Sequence, residues 1–364
     1  MNNNSAASTL GQLSQGKNNN LNLIRLIAAF MVMYMHSLAL CIADQSKDIM
    51  YTLTFHKALS GQVAVDIFFV ISGFLIYRSY DRGNNVWKYL KARFLRIWPL
   101  LALFILLTAF IIGPMYTVYT REEYFAVSMK DYLMNLLFAS SYTRLHGVFL
   151  SHISKSINGS IWTLRFEVIC YIMVLFVLPV FRRWKKGIFP FILVIVAGYV
   201  FFTYGWTQEL FLGMSKEPFV NLFRLTLHFA MGIMYYLYRD EIKLDRKKLL
   251  IALGVQILIT FFFDFEIAFA LAGSYIIMYL GFQNYKISRA YDKVGDLSYG
   301  VYIWSFLVQQ LVVEYRGYFP EENINGFYVM TMDPYVNLAL STLIVVPLAF
   351  VSWQCFEKQL LKLK

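Results

Sequence analysis

The chain is poor in cysteine and poor in charge. Three cysteines stand among 364 residues. Cys41, Cys170 and Cys355 share no paired spacing and no CxxC, which excludes a disulfide-scaffolded domain and a thiolate metal centre. They read as small apolar side chains. Charged residues make up only 15% of the sequence, while hydrophobic residues reach 59% and aromatics 18%. Mean hydropathy is +0.53. That balance excludes a soluble globular domain and identifies an integral membrane protein. Acidic residues are fewer than basic ones, 22 against 33, for a net charge of +11. The excess calls for no nucleic-acid partner, because most of it falls in short connections between apolar runs, where membrane topology accounts for it. No internal repeat, no appended soluble domain and no cleavable signal peptide is legible, so the first apolar run is expected to serve as its own signal anchor.

What the chain has is apolar runs. Ten are long enough to span about 30 Å of hydrocarbon, at about 21–42, 61–80, 94–113, 161–181, 188–205, 219–238, 249–263, 265–283, 297–315 and 335–356. The stretch Tyr132 to Ala139 is too short to cross. The expected fold is an all-α polytopic transmembrane bundle. Connections rich in basic residues (Arg78, Arg82, Lys88, Lys91, Arg93, Arg96; Arg182, Arg183, Lys185, Lys186; Arg239, Lys243, Arg246, Lys247, Lys248) alternate with basic-poor ones. The positive-inside rule makes the rich ones cytoplasmic and puts both termini on that side. Residues 1–20, rich in Asn and Ser, read as a disordered cytoplasmic tail. Residues 21–356 form the membrane domain and 357–364 a second cytoplasmic tail. The longest connection, Pro114 to Ser160, is extracytoplasmic in this topology and long enough to carry function.

Arg25 and His36 stand eleven residues apart in the first run. At 100° per residue the two fall about 20° past three full turns, on one helix face and roughly 16 Å apart along the axis. Ionisable groups at such depth are costly and by default functional. Counting residues from the outer surface places His36, Asp66 and Glu167 in one layer, with Arg165, Arg224 and His228 near it. Such groups are expected to pair around a water-accessible cavity. Each has a structural alternative. A membrane histidine can serve helix–helix hydrogen bonding, Asp66 and Glu167 can be counter-ions for Arg165 and Arg224, and Arg93 and Arg96 can be topology determinants. His56, His146, His152 and His228 have no distinctive spacing and read as non-catalytic.

Four local motifs resemble those of the acyltransferase-3 family of integral membrane acyl-CoA-dependent O-acyltransferases, in the family's order. They are Arg25 with His36; Phe68-Phe69-Val70-Ile71-Ser72-Gly73, preceded by Asp66; Arg93-Phe94-Leu95-Arg96, followed by Pro99; and Trp162-Thr163-Leu164-Arg165-Phe166-Glu167. A late Leu-Ser-Tyr-x-x-Tyr stretch, Leu297 to Tyr302, extends the likeness. Where many relatives carry a histidine shortly after those tyrosines, this chain has Trp304-Ser305.

The resemblance implies a stand-alone enzyme of the bacterial plasma membrane, with acyl-CoA as co-substrate and no bound cofactor or metal. Arg25, Arg93 and Arg96 would hold the nucleotide end, since guanidinium forks suit phosphate geometry. The pantetheine arm would carry the thioester toward His36. His36 would act as general base on an acceptor hydroxyl, with Glu167 or Asp66 orienting it. Ser72 and Gly73 would admit the thioester or, alternatively, pack helices closely. Phe68, Phe69, Trp162, Arg165, Arg224, Tyr299, Tyr302 and Ser305 complete the expected pocket. The implied acceptor is a surface carbohydrate, free or lipid-linked. The alternatives are a proton-coupled transporter, for which no inverted repeat is legible, and a non-catalytic subunit of a polysaccharide assembly complex.

Overall fold

The computed structural model describes residues 8–16, 19–127, 129–140, 142–205, 215–283, 285–320 and 328–363. Among the described residues the structure is helical, with isolated β-bridges and no strand. Its principal helices are α1 (Leu21–Cys41), α2 (Ser60–Gly83), α3 (Val86–Tyr116), α4 (Ile161–Arg183), α5 (Lys185–Gly205), α6 (Glu217–Leu237), α7 (Arg246–Phe262), α8 (Phe265–Gly281), α9 (Ser298–Arg316) and α10 (Pro334–Leu361). Six of them, α1 to α5 and α10, are long and apolar enough to cross a membrane, and α8 forms a bent pair with the short helix Lys286–Val294. Helices α6, α7 and α9 occupy the other expected positions but fall below that standard. The 17 residues of α7 are too few, and polar side chains dilute α6 and α9.

Helix α2 lies at the centre. Residues Val70, Gly73, Phe229 and Gly232 form its crossing with α6, where a Cβ on Gly73 would stand 2.0 Å from the Phe229 carbonyl oxygen and one on Gly232 would stand 2.2 Å from that of Val70. The crossing therefore requires both glycines. Of the two readings given for Gly73, close approach of the thioester or close helix packing, the crossing shows the packing. After α2 the chain reverses through Asn84, in the left-handed region at φ 45°. Asn85 then caps α3, its side chain accepting from the Lys88 N–H at 2.9 Å. Helix α3 thus begins eight residues before the expected run, and Arg93 and Arg96 sit on it, three residues apart on neighbouring positions of one face.

The long connection is folded into the bundle. Trp98 Nε1 donates to the Leu136 carbonyl at 3.0 Å, and the Tyr132 hydroxyl meets that of Thr108 at 2.6 Å, so the short stretch from Tyr132 runs back along α3. Further on, Asn158 donates to the Ile303 carbonyl at 2.8 Å. Gln310 gives both amide hydrogens to the carbonyls of Ser154 and Ser156. Its oxygen therefore accepts from His152 Nδ1 at 2.9 Å, and His152 Nε2 lies 2.7 Å from Glu314. A histidine read as non-catalytic is thus a buried clasp between the connection and α9.

The expected disordered tail is also corrected where it is described. Leu10 is fully buried, Thr9 caps the turn Leu10–Leu13, and Leu10 and Gly11 donate to the carbonyls of Ile242 and Arg239. One buried leucine and a capping box outweigh the polar composition around them.

Candidate active site

Arg25 of α1, Ser72 of α2, Arg93 and Arg96 of α3, Glu167 and Tyr171 of α4, and Asp296 before α9 line a cavity of about 220 Å³. Arg25, Ser72 and Glu167 also line a narrower continuation of about 40 Å³, walled by Val65, Phe68, Phe69, Thr163, Leu164, Tyr299 and Tyr302. The periodicity of α2 explains the wall: Val65, Phe68, Phe69 and Ser72 fall at three- and four-residue spacing on one stripe.

Asp296 organises the charges. Arg25 Nη1 donates to its Oδ2 at 2.9 Å, and Arg96 Nη2 donates to the same oxygen. The Ser298 hydroxyl and N–H donate to Oδ1 at 2.5 and 3.2 Å. Burial pushes the Asp296 carboxyl up, but the two guanidiniums and Ser298 outweigh it and hold the group well below the usual carboxylate range. Glu167 accepts from the Tyr171 hydroxyl one turn along α4. Arg93 and Arg96 lie over the rings of Tyr171 and Tyr299, each 5.9 Å from the centroid. Three guanidiniums against two carboxylates leave the cavity with one positive charge, suited to a polyanion. Tyr299 donates to the Ile97 carbonyl at 2.8 Å, and Tyr302 to that of Ser160 at 2.6 Å.

His36 is buried, with its ring edge against Phe306 at 4.9 Å between centroids. Its Nδ1 has no hydrogen-bond partner, and it is not among the residues lining either part of the cavity. Among the described residues no hydrogen bond joins it to Asp66 or Glu167. The expected single layer is therefore two groups. Asp66 stands seven residues before Gly73, on the stripe that faces α6, and its carboxylate meets Arg224 at 3.2 Å. Glu167 faces the arginine cavity. The connection before α4 is itself buried at Ile157, Asn158 and Ser160, and counting residues along separate helices does not report which side chains face one another.

The remaining candidates divide in the same way. Trp162 and Arg165 pack on the Phe166 ring, Ser305 is buried with its Oγ unpaired, and Arg224 belongs with Asp66. Asp296, Tyr171 and Thr163 were missed. Asp296 had a signal: an acid immediately before the Leu297 to Tyr302 stretch.

The family profile described as "Acyltransferase domain" matches residues 18–353. An O-acetyl transferase of Shigella phage Sf6 is 28% identical over 357 residues, covering 95% of this chain and 96% of that protein. Nodulation protein 10 of Rhizobium leguminosarum bv. viciae is 25% identical over 383 residues, covering 96% and 95%. No solved structure matches the chain. With its motifs in order and a profile match over nearly its whole length, the chain belongs to the acyltransferase-3 family of membrane acyltransferases.

Proposed function

We propose that the protein is an O-acyltransferase that moves an acetyl group from cytoplasmic acyl-CoA to a hydroxyl of a bacterial cell-surface carbohydrate such as O-antigen, capsule, exopolysaccharide or peptidoglycan. The observation that carries this reading is the net-positive cavity lined by Arg25, Arg93 and Arg96, in which Arg25 and Arg96 share the counter-ion Asp296. The nucleotide phosphates of the donor displace Asp296 as the partner of these guanidiniums, which suit bidentate phosphate contacts. The acyl end then runs along Ser72 into the continuation walled by Phe68, Phe69 and Tyr302.

His36 takes the proton of the acceptor hydroxyl as the oxygen attacks the thioester carbonyl. The new ester bond forms, the carbon–sulfur bond breaks, and the proton passes to the departing CoA thiolate. Glu167, the carboxylate in the donor cavity, supports the charge that develops on His36; Asp66, committed to α6, is not assigned to this step. A covalent acyl-His intermediate would use the same residues. Ten spans with both termini cytoplasmic, in the bacterial plasma membrane, would put the nucleotide inside and the long connection outside, so cytoplasmic acetyl could modify an extracytoplasmic acceptor. The printed name of the phage relative supports acetyl as the group transferred.

Membranes carrying the parent or His36→Ala at matched expression are incubated with radiolabelled acetyl-CoA, and label in cell-envelope carbohydrate is counted. Label is expected with the parent and at least about a hundredfold less with the variant. Undiminished label with His36→Ala removes the base from the mechanism.

A further inference from the structure

A second group of charged side chains meets away from the donor cavity. Asp66 of α2 and His228 of α6 are fully buried, and Arg224 and Glu266 are nearly so, at 5% and 7% exposure. Arg224 Nη1 lies 3.2 Å from Asp66 Oδ1 and 3.2 Å from Glu266 Oε1. His228 Nδ1 lies 2.9 Å from the Arg224 carbonyl oxygen. A carbonyl only accepts, so Nδ1 carries the hydrogen and Nε2 is left to face the group. Asp66 Oδ1, His228 Nε2 and Glu266 Oε2 are all buried without a hydrogen-bond partner.

Asp66, His228 and Glu266 converge, each offering one ligand atom within 4.8 Å of the other two, with Asp66 Oδ1 3.5 Å from His228 Nδ1. His228 Nε2 faces Glu266 Oε2 at 3.6 Å, beyond hydrogen-bond length. A lone pair and a carboxylate held that way repel each other unless a proton or a metal cation lies between them. Two ligands each about 2.1 Å from a tetrahedral ion stand about 3.4 Å apart, close to the observed separation. An imidazole whose other N–H is fixed on a backbone carbonyl is the orientation that metal-bound histidines adopt. Arg224 Nη1 reaches both oxygens of Asp66, Oδ1 at 3.2 Å and Oδ2 at 3.4 Å, and Glu266 Oε1 at 3.2 Å, as an outer-shell donor would. Two carboxylates and one guanidinium carry a charge of minus one; a divalent ion makes it plus one, so Arg224 does not oppose loading by charge count.

We propose that Asp66, His228 and Glu266 bind one divalent first-row metal ion, with zinc the probe of choice for one imidazole and two carboxylates. The ion fastens α2 to α6 and α8, and so fixes the helix whose opposite stripe, Phe68, Phe69 and Ser72, walls the donor cavity. No metal was expected from the sequence, because the ligands come from three helices and no short spacing announces them.

The full chain is purified in detergent with a histidine-free tag, and its metal content is measured by mass spectrometry as isolated, after chelation and after reloading with zinc chloride. About one zinc per chain is expected, with a chelator-induced fall in melting temperature that reloading reverses. His228→Ala and Glu266→Gln should each weaken zinc binding by roughly tenfold or more. If the parent neither holds nor takes up a metal, the group is an ion-pair cluster and the proposal fails. It fails equally if His228→Ala retains zinc as the parent does. Should the variants not fold, retention, uptake and chelator response of the parent decide alone.

Discussion

Two charged groups are buried in one bundle, and they are opposites. The arginine cavity is lined by three guanidiniums and two carboxylates, and its key pair, Arg25 and Asp296, keeps 19% and 11% side-chain exposure. The Asp66 group has one guanidinium, two carboxylates and a histidine, with no exposure at Asp66 or His228. The first has positive charge to spare and an opening, so an anion can complete it from outside. The second has negative charge to spare and is closed at Asp66 and His228, with 6% and 10% side-chain exposure left at Arg224 and Glu266. Both arise on α2, from two stripes of one helix, and the difference shows how intramembrane charge can serve a ligand on one face and architecture on the other.

The comparison breaks most visibly at its arginines. Arg224→Ala leaves two buried carboxylates without their cation and should cost about 3–5 kcal/mol, read as loss of folded protein by size-exclusion fluorescence. A variant as stable as the parent would show the group is not a structural core.

Glu167→Gln should leave the protein folded and donor affinity within about threefold, yet lower turnover by roughly a hundredfold. Equal losses in binding and turnover would move Glu167 from chemistry to architecture.

Asp296→Asn is the mildest change, because Arg25 and Arg96 face the cavity and water reaches them. A loss of about 1–3 kcal/mol is expected. Its pH dependence has a definite sign. The folded carboxyl sits below its unfolded value of about 3.9, so its stabilising contribution is present above that value and is lost as pH falls through the folded one. Melting temperature should therefore drop more steeply for the parent than for Asp296→Asn below about pH 4. Parallel curves would show that Asp296 is not held ionised by the arginines.

Much of this arrangement was legible beforehand. Apolar runs located the helices, and the spacing of Arg93 and Arg96 placed them together. Phe68, Phe69 and Ser72 line the narrower part of the cavity. What the sequence hid was direction. Asp66 was counted by depth alone, although its seven-residue spacing to Gly73 puts it on the packing stripe, where α6 meets it. Glu167 was grouped with His36 and Asp66 by counting residues along separate helices, whereas the cavity it faces is set by Arg25, Ser72 and Arg93 of three other helices. Asp296 and Glu266 each acquire their partners from helices far along the chain, and no local pattern reports such pairings.

The central claim is that the arginine cavity holds the anionic end of acyl-CoA. Its most direct test is equilibrium binding of acetyl-CoA to purified parent and to the Arg93→Ala/Arg96→Ala double variant, at two salt concentrations. The account predicts roughly a hundredfold or greater loss of affinity in the folded variant, from two charge-assisted contacts, with a weaker salt dependence than the parent shows. Unchanged affinity and unchanged salt dependence would contradict it.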